Sequence, residues 1–426
     1  MHVVVVGLGT AGAAMAAFAA RAGLQVTGLE AGPLDEAGAR WVNGVPAWAY
    51  DEVGLERPVA PECRSGPVPF HLVAGEGAQA PRATVTSVLE VDMRHLTARL
   101  HDAARGSGAT LRAGVKVRSV EEHRVVTDDG ELEANVVIDA SGLTGLGLSG
   151  APNDRPVDLC AAAQEVREVT DRGAAEAWFR SQGAEPGQVV CFTGLAGGYS
   201  ILNVRFEGGT VGLLSGSLPS EGHPAGGKLV GDFVRTHAWI GERRFGGKRA
   251  IPLRRPLEVV GWGRHLWIGD AARMVFAAHG SGIAQQLLAA RLFADGLAEG
   301  LDPWAINVRW QRRHGGLLAS ADLLRRATQT LTQPEVAALL RDRVLSAEMS
   351  ADTMAQRPSR PPLRPLLRAL RGLAKHPRLA RRLVPALVKG RAVEALYARY
   401  PEQPSGLGRW RRRLERLTRQ PSWAPR

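Results

Sequence analysis

The chain has 426 residues, of which 45% are apolar, with a formal net charge of +12 and three cysteines, Cys63, Cys160 and Cys191, that show no CxxC spacing. That length suits two intimately packed domains, and the cysteine usage argues against a disulfide framework or an iron–sulfur site and fits a reducing cytoplasm. No apolar run approaches the roughly 18 residues of a membrane-spanning helix, and the first strand signal starts at residue 3, so no signal peptide is expected ahead of it.

The first element, VVVVGLGTAGAAMAAFAARAGLQVTGLEAG from Val3 to Gly32, has the makings of a dinucleotide site. Val3–Val6 is a β-branched run suited to a strand buried on both faces of a parallel sheet. Gly7, Gly9 and Gly12 follow in a GxGxxG pattern. The first permits the tight turn, the second lets backbone approach a pyrophosphate, and the third lets the helix pack closely on the strand. The alanine-rich helix that follows turns free N–H groups and a partial positive charge toward the phosphates, and Gly23 closes it. A second strand, Leu24–Leu29, ends at Glu30, 23 residues after Gly7, where a carboxylate can accept hydrogen bonds from a ribose. That acid disfavours a 2′-phosphate and leaves NAD and FAD open, since both share the adenosine half.

A connection rich in Gly, Pro and Trp, residues 31–82, comes next. Asp92 is placed to cap a helix carrying Leu96 and Leu100 on its apolar side, ended by Gly106 and Gly108. One strand is expected through Leu111 and Val115 to Val120, then a hairpin around Asp128-Asp129-Gly130, and a buried strand in EANVVIDASG, residues 133–142. Residues 1–150 read as the first part of a Rossmann-type nucleotide domain. Residues 151–260 read as an inserted antiparallel sheet for substrate, with strands at Gln188–Thr193, Tyr199–Phe206 and Thr210–Ser217. Residues 261–300 return to the nucleotide domain, and 301–426 form a basic helical region. The expected class is therefore α/β. Residues 357–426 carry 19 Lys and Arg against 3 Glu, while the other 356 residues hold 35 basic and 39 acidic side chains. A nearly neutral body thus carries a basic tail.

The segment LWIGDAARMVFAAHGSGIAQQLL decides between NAD and FAD. A short strand, Leu266–Ile268, ends in Gly269-Asp270, and Gly280-Ser281-Gly282 opens a helix. An NAD domain needs no such distal element. An FAD domain does: a carboxylate at a strand end can hold ribityl hydroxyls, and glycines at a helix N-terminus can bring N–H groups and a positive end to a reduced flavin. Taken together, the GxGxxG with Glu30, the VDMR stretch, the VVIDASG turn and the GDAAR…HGSGI element resemble the single-Rossmann FAD oxidoreductases of p-hydroxybenzoate-hydroxylase-like fold. Gly198-Tyr199 and the GKRAIPLRRP segment, residues 247–256, are most similar to the geranylgeranyl reductases, and the resemblance spans about residues 1–300. The WxWxIP pattern of halogenases is missing.

This resemblance implies a set of roles. Gly7, Gly9, Thr10, Ala11, Gly12 and Glu30 would hold the ADP half of FAD, with Arg94 near its phosphates, and Val117 belongs to the same cofactor-binding set. Gly269 and Asp270 would hold the ribityl chain, and Gly280, Gly282 and Ile283 the ring end. It implies an FAD-dependent reductase of a largely apolar, isoprenoid-like small molecule. The alternatives are an FAD monooxygenase of secondary metabolism, then a lycopene-cyclase-like or halogenase-like flavoprotein. His279, in the flavin loop, is the candidate proton donor, because imidazole titrates near neutral pH; the alternative is a space-filling histidine. Tyr199 either faces substrate or belongs to the core. No second GxGxxG is present, so NAD(P)H would visit transiently or a partner reductase would supply electrons. No spacing suggests a metal site. In the tail, Leu363, Leu366, Leu367, Leu370 and Leu373 share one helical face opposite Arg364, Arg368, Arg371 and Lys375, and Arg409, Arg411, Arg412 and Arg413 flank Trp410. Such helices either lie on an anionic membrane or pack on the body with solvated arginines. No motif points to nucleic acid. The expected location is cytoplasmic, either free or peripheral on the inner face of the membrane according to which of these the tail does.

Overall fold

The computed structural model describes residues 1–426 apart from 87, 122, 144, 359–361, 424 and 426. The β-branched opening run forms a strand, His2–Val6, paired in parallel with Gln25–Leu29 on one side and Val136–Asp139 on the other. His265–Trp267 continues the sheet in parallel beside Val136–Asp139, Gly261–Trp262 adds an antiparallel edge, and Thr110–Arg112 closes the other edge. The strand order therefore reverses between His2–Val6 and Val136–Asp139, a topological switch point, and open α/β sheets bind ligands in the crevice at such a point. Helix Thr10–Arg21 is buried from Thr10 through Ala20. It packs between helices Met93–Gly106 and Ile283–Ala298, an approach its alanines permit. Asp92 accepts from the Arg94 N–H at the start of helix Met93–Gly106, as a cap should. The other face of the sheet is covered by a three-stranded meander, Val117–Glu121, Arg124–Thr127 and Gly130–Glu133, through Val117, Val125 and their neighbours.

A second, seven-stranded sheet runs in the order Ile240–Pro252, Leu159–Val169, Thr210–Ser217, Ser200–Glu207, Val189–Thr193, Phe70–Val73, Arg82–Val85. Its pairs are antiparallel except for Val189–Thr193 against Phe70–Val73. The α/β architecture, the inserted antiparallel sheet and the helical C-terminal region are thus as the sequence indicates. Two local expectations are corrected. The stretch from Leu111 to Val120 is two strands in two different sheets, broken at Gly114, whose φ is +71°. The 31–82 connection holds strands of its own: it supplies Phe70–Val73 to the large sheet and runs into Arg82–Val85 there, and Val42–Pro46 and Cys63–Ser65 pair with Val88–Asp92 in a smaller one.

The C-terminal helices are anchored to the body. Helix Pro377–Tyr397 packs on helix Gly316–Thr328, where Gly390 leaves room beside Ser320 and Gly316 beside Glu394. Tyr400 Oη donates to the Glu258 carbonyl at 2.8 Å, and the Trp423 N–H donates to the Glu258 carboxylate at 2.9 Å. A buried charge network holds helix Gly316–Thr328 on the large sheet. Arg325, fully buried, donates to Asp158 at 3.0 Å and to Asp322 at 2.7 Å, and Arg326 shares Asp322. Burial pushes the Asp322 carboxyl up, but Arg326 and Arg325 outweigh it and hold it below the usual range. Replacing one member of such a network leaves the others charged and desolvated. Arg325→Met is expected to cost about 3 kcal/mol in denaturant unfolding, the low end because Arg326 still serves both aspartates.

Candidate cofactor groove and substrate cavity

At the switch point the strand ends open into a groove of about 660 Å³. Gly7 sits at φ +89°, and a Cβ there would lie 2.6 Å from the Ala140 carbonyl oxygen. A Cβ at Gly12 would lie 1.9 Å from the Gly7 carbonyl oxygen. Both glycines are therefore required by backbone contact and not by local flexibility alone. The Glu30 carboxylate accepts from the Leu8 N–H at 2.8 Å, which fixes it beneath the glycine turn. Gly7, Gly9, Thr10, Ala11, Glu30 and Val117 all line this groove. Gly12 stands behind it as a packing residue.

The distal element meets the same groove. Gly269, Asp270, Gly280, Gly282 and Ile283 line it. A Cβ on Gly269 would come within 2.9 Å of Ala11 Cβ, so the GD turn is seated directly against the first helix. Gln286 donates to Asp270 at 3.4 Å. Burial raises the Asp270 carboxyl, while Arg249 and Arg273 pull it down. Helix Ile283–Ala298 starts immediately after Gly282 and directs its N-terminal N–H groups into this end. The groove residues that sequence reading passed over are Gly38, Lys116, Ser141, Arg249 and Gln286. Gly38 faces Gly9 with Cα 3.2 Å from where a Cβ would sit, and its carbonyl accepts from Arg249. Ser141, Arg249 and Gln286 lie inside the VVIDASG, GKRAIPLRRP and LWIGDAARMVFAAHGSGIAQQLL segments, whereas Gly38 and Lys116 carried no signal.

Arg94 is not among the groove-lining residues. Its guanidinium pairs with Asp92 at 2.7 Å and stacks on the Phe245 ring at 3.7 Å. The partner is the carboxylate only two residues away, at the cap of the same helix, which spacing alone could not reveal.

A second cavity, of about 450 Å³ and mostly apolar, opens from the ring end of the groove. Tyr199, Ile201, Leu214, His279 and Ser281 line both spaces. One wall is the face of the large sheet that carries Phe70, Leu72, Val189 and Cys191, and the roof is made of C-terminal helices through Leu324, Val336, Leu339 and Met349. The Gly280 position has φ +77°, and a Cβ there would come 2.7 Å from Tyr199 Oη, so the loop passes close over the phenol. Burial raises the Tyr199 phenol well above its ordinary value, so it stays protonated. The His279 Nδ1 accepts from the Ser281 N–H at 3.3 Å, leaving Nε2 as the protonated nitrogen of a neutral ring. Burial draws the imidazole down to about 4. At neutral pH it is a neutral hydrogen-bond donor and not a charged acid, which narrows the role expected from sequence.

The chain is similar to several known proteins in sequence and in fold. The lycopene cyclase protein family model matches residues 2–161. A digeranylgeranylglycerophospholipid reductase of Sulfolobus acidocaldarius is 28% identical over 184 residues, 40% of this chain and 40% of that one, so the chain aligns with about two fifths of that relative. The geranylgeranyl bacteriochlorophyll reductase-like protein of Thermoplasma acidophilum superposes with a TM-score of 0.71 at 16% identity, over 90% of this chain and 98% of that one. A variant of Klebsiella pneumoniae HpxO in complex with FAD gives 0.60 at 16% identity, over 84% and 99%. The fold is that of the p-hydroxybenzoate-hydroxylase-like FAD oxidoreductase superfamily, related to geranylgeranyl reductases, lycopene cyclases and FAD monooxygenases.

The depressed His279 value has a testable consequence. A base held neutral in the folded state stabilises fully above its unfolded value of 6.5, and that contribution is lost as pH falls toward 4. The expected loss is about 3 kcal/mol at 1.36 kcal/mol per unit. His279→Gln is expected to reduce the fall in unfolding free energy between pH 6.5 and 4, leaving the parts due to His314, which burial draws to about 3, and to His101 and His265, which burial also draws down.

Proposed function

We propose that the chain is an FAD-dependent oxidoreductase, similar to geranylgeranyl reductases, that acts on a largely apolar, isoprenoid-like small molecule. The observation that carries this reading is the continuity of the two spaces: a glycine-walled dinucleotide groove ends where an apolar cavity begins, at Tyr199, His279 and Ser281. The residues fit FAD by their own chemistry. Gly7 and Gly9 let backbone approach a pyrophosphate, Glu30 offers acceptors to a ribose, Asp270 offers them to ribityl hydroxyls, and the N-terminus of helix Ile283–Ala298 favours negative charge at the ring end. When bound, FAD would supply the redox step and the protein the positioning. Tyr199 and the neutral His279 would orient substrate over the ring end as hydrogen-bond donors. Residues 1–150 and 261–300 would form the cofactor domain, 151–260 the substrate sheet and 301–426 the roof. Electrons would come from transient NAD(P)H or a partner reductase.

The test is direct. Purified protein is expected to be yellow and to release FAD on denaturation, and Gly12→Val to be colourless or unfolded. A folded Gly12→Val protein that retains stoichiometric FAD sinks the groove assignment. With the flavin reduced, product formation from an apolar isoprenoid without oxygen supports a reductase. Substrate-coupled oxygen uptake supports the monooxygenase alternative instead.

A specific surface feature favours attachment to an anionic bilayer. Leu363, Leu366, Leu367 and Leu370 are 41–68% exposed, and Val384, Leu387 and Val388 of the adjacent helix are 42–64% exposed. Leu366, Leu370 and Leu387 also line the cavity, so this patch surrounds its mouth. The same stripe of helix Pro377–Tyr397 runs on into a groove bearing Arg399, Arg409, Arg413 and Arg416 beside Trp410. Basic residues around an apolar face match a negatively charged lipid surface. No helix among the described residues is long and apolar enough to cross a membrane. Vesicles containing phosphatidylserine are expected to sediment the protein in a salt-sensitive way. Substituting Leu363, Leu367 and Val388, none of which lines the cavity, together by Glu should cut that binding tenfold or more, and unchanged binding would refute the patch.

A further inference from the structure

The substrate cavity is not apolar throughout. Along strand Ser200–Glu207 the residues facing it change from Ile201 to Asn203, Arg205 and Glu207. At this end the Arg205 side chain is 10% exposed and donates to Glu207 at 2.9 Å, with Glu90 3.4 Å away. Two polar atoms there are buried without a hydrogen-bond partner among the described residues: Arg205 Nε, a donor, and Asn203 Oδ1, an acceptor. Residues two apart on a strand share one face and stand about 7 Å apart along it, so both side chains border the same stretch of the cavity. Leaving such atoms unmet costs on the order of 1–3 kcal/mol each.

The charge at this end is balanced. Arg205 and Arg64 stand with Glu90 and Glu207, all four on the cavity wall. Burial pushes the Glu90 carboxyl above its ordinary value, and Arg205 and Arg64 offset that only in part. A phosphate or carboxylate brought here would face the Glu90 and Glu207 carboxylates, and the Arg205 guanidinium is already engaged by both. It would also have to be stripped of water along an apolar passage, far costlier than for a hydroxyl. A hydroxyl group can accept from Arg205 Nε and donate to Asn203 Oδ1 at once.

We infer that the Asn203–Arg205 end of the cavity is a subsite for the uncharged hydroxyl of an apolar alcohol, which holds that hydroxyl away from the cofactor end of the cavity. Asn203 is four residues from Tyr199, about 13 Å along the strand. The reacting carbon is therefore remote from the polar group, and the substrate lies with its apolar end toward Tyr199. This rests on the reading of the cavity as the substrate site.

The test is calorimetric binding to the full-length protein as purified, with farnesol, farnesyl methyl ether and farnesyl phosphate as probes. Farnesol is expected to bind about tenfold or more tightly than the ether, which cannot donate, and more tightly than the phosphate. A tenfold ratio corresponds to about 1.4 kcal/mol, within the cost of one unmet partner. Asn203→Leu should bring farnesol and the ether to within about threefold, while Asn203→Gln should restore part of the difference. Equal binding of farnesol and ether by the wild type, a preference for the phosphate, or a ratio unchanged by Asn203→Leu would overturn the subsite. A yellow protein that binds none of the three also overturns it and leaves the flavin reading standing. A colourless protein that prefers the alcohol sustains the subsite and defeats the flavin reading.

Discussion

The arrangement depends on missing side chains where strand ends converge. Gly7 lies against the Ala140 carbonyl, Gly12 against the Gly7 carbonyl, and Gly269 against the Ala11 methyl. Most of these contacts are to backbone, which cannot swing aside as a side chain can. They draw three distant parts of the chain to one place: the first turn, the turn after Val136–Asp139 and the turn after His265–Trp267. The groove is what remains between them. The cavity then follows from the antiparallel sheet, whose outer face is covered by helices of the C-terminal region and whose near edge abuts the Gly280 loop.

Much of the nucleotide half was legible because its signals are local. A β-branched run, a glycine spacing and a capping aspartate each act within a few residues, and all three appear where the sequence places them. What was not legible is set by distant partners. Phe70–Val73 and Arg82–Val85 are short and unremarkable in sequence, and they become strands because Val189–Thr193 offers an unpaired edge. Gly38 and Lys116 reach the groove through chain folding alone. The pairing of Arg94 with Asp92 was not legible either, because a spacing cannot say which carboxylate a guanidinium will choose. His279 was recognised as a position but not as a protonation state, since its burial comes from several elements at once.

The basic tail shows the same division. Its charge and its leucine periodicity can be read from composition, but which leucines are covered depends on neighbours. Leu373 is buried beside Leu339 and Leu379, whereas Leu363, Leu366, Leu367 and Leu370 are not. The end of the tail is also structural: Tyr397 and Tyr400 pack around Trp410, and Glu258 receives hydrogen bonds from Tyr400 and Trp423. One segment thus combines a packed anchor with an open apolar face.

The cavity wall also carries Cys191, buried, with its thiol pushed up to about 12 by desolvation. A thiol protonated so firmly and so enclosed reacts slowly with alkylating reagents until the roof helices part from the sheet. The residue is thus a native stopwatch for breathing of the substrate chamber. Its labelling rate reports how often the molecule opens, and occupancy of the chamber should slow it without any change to the chain.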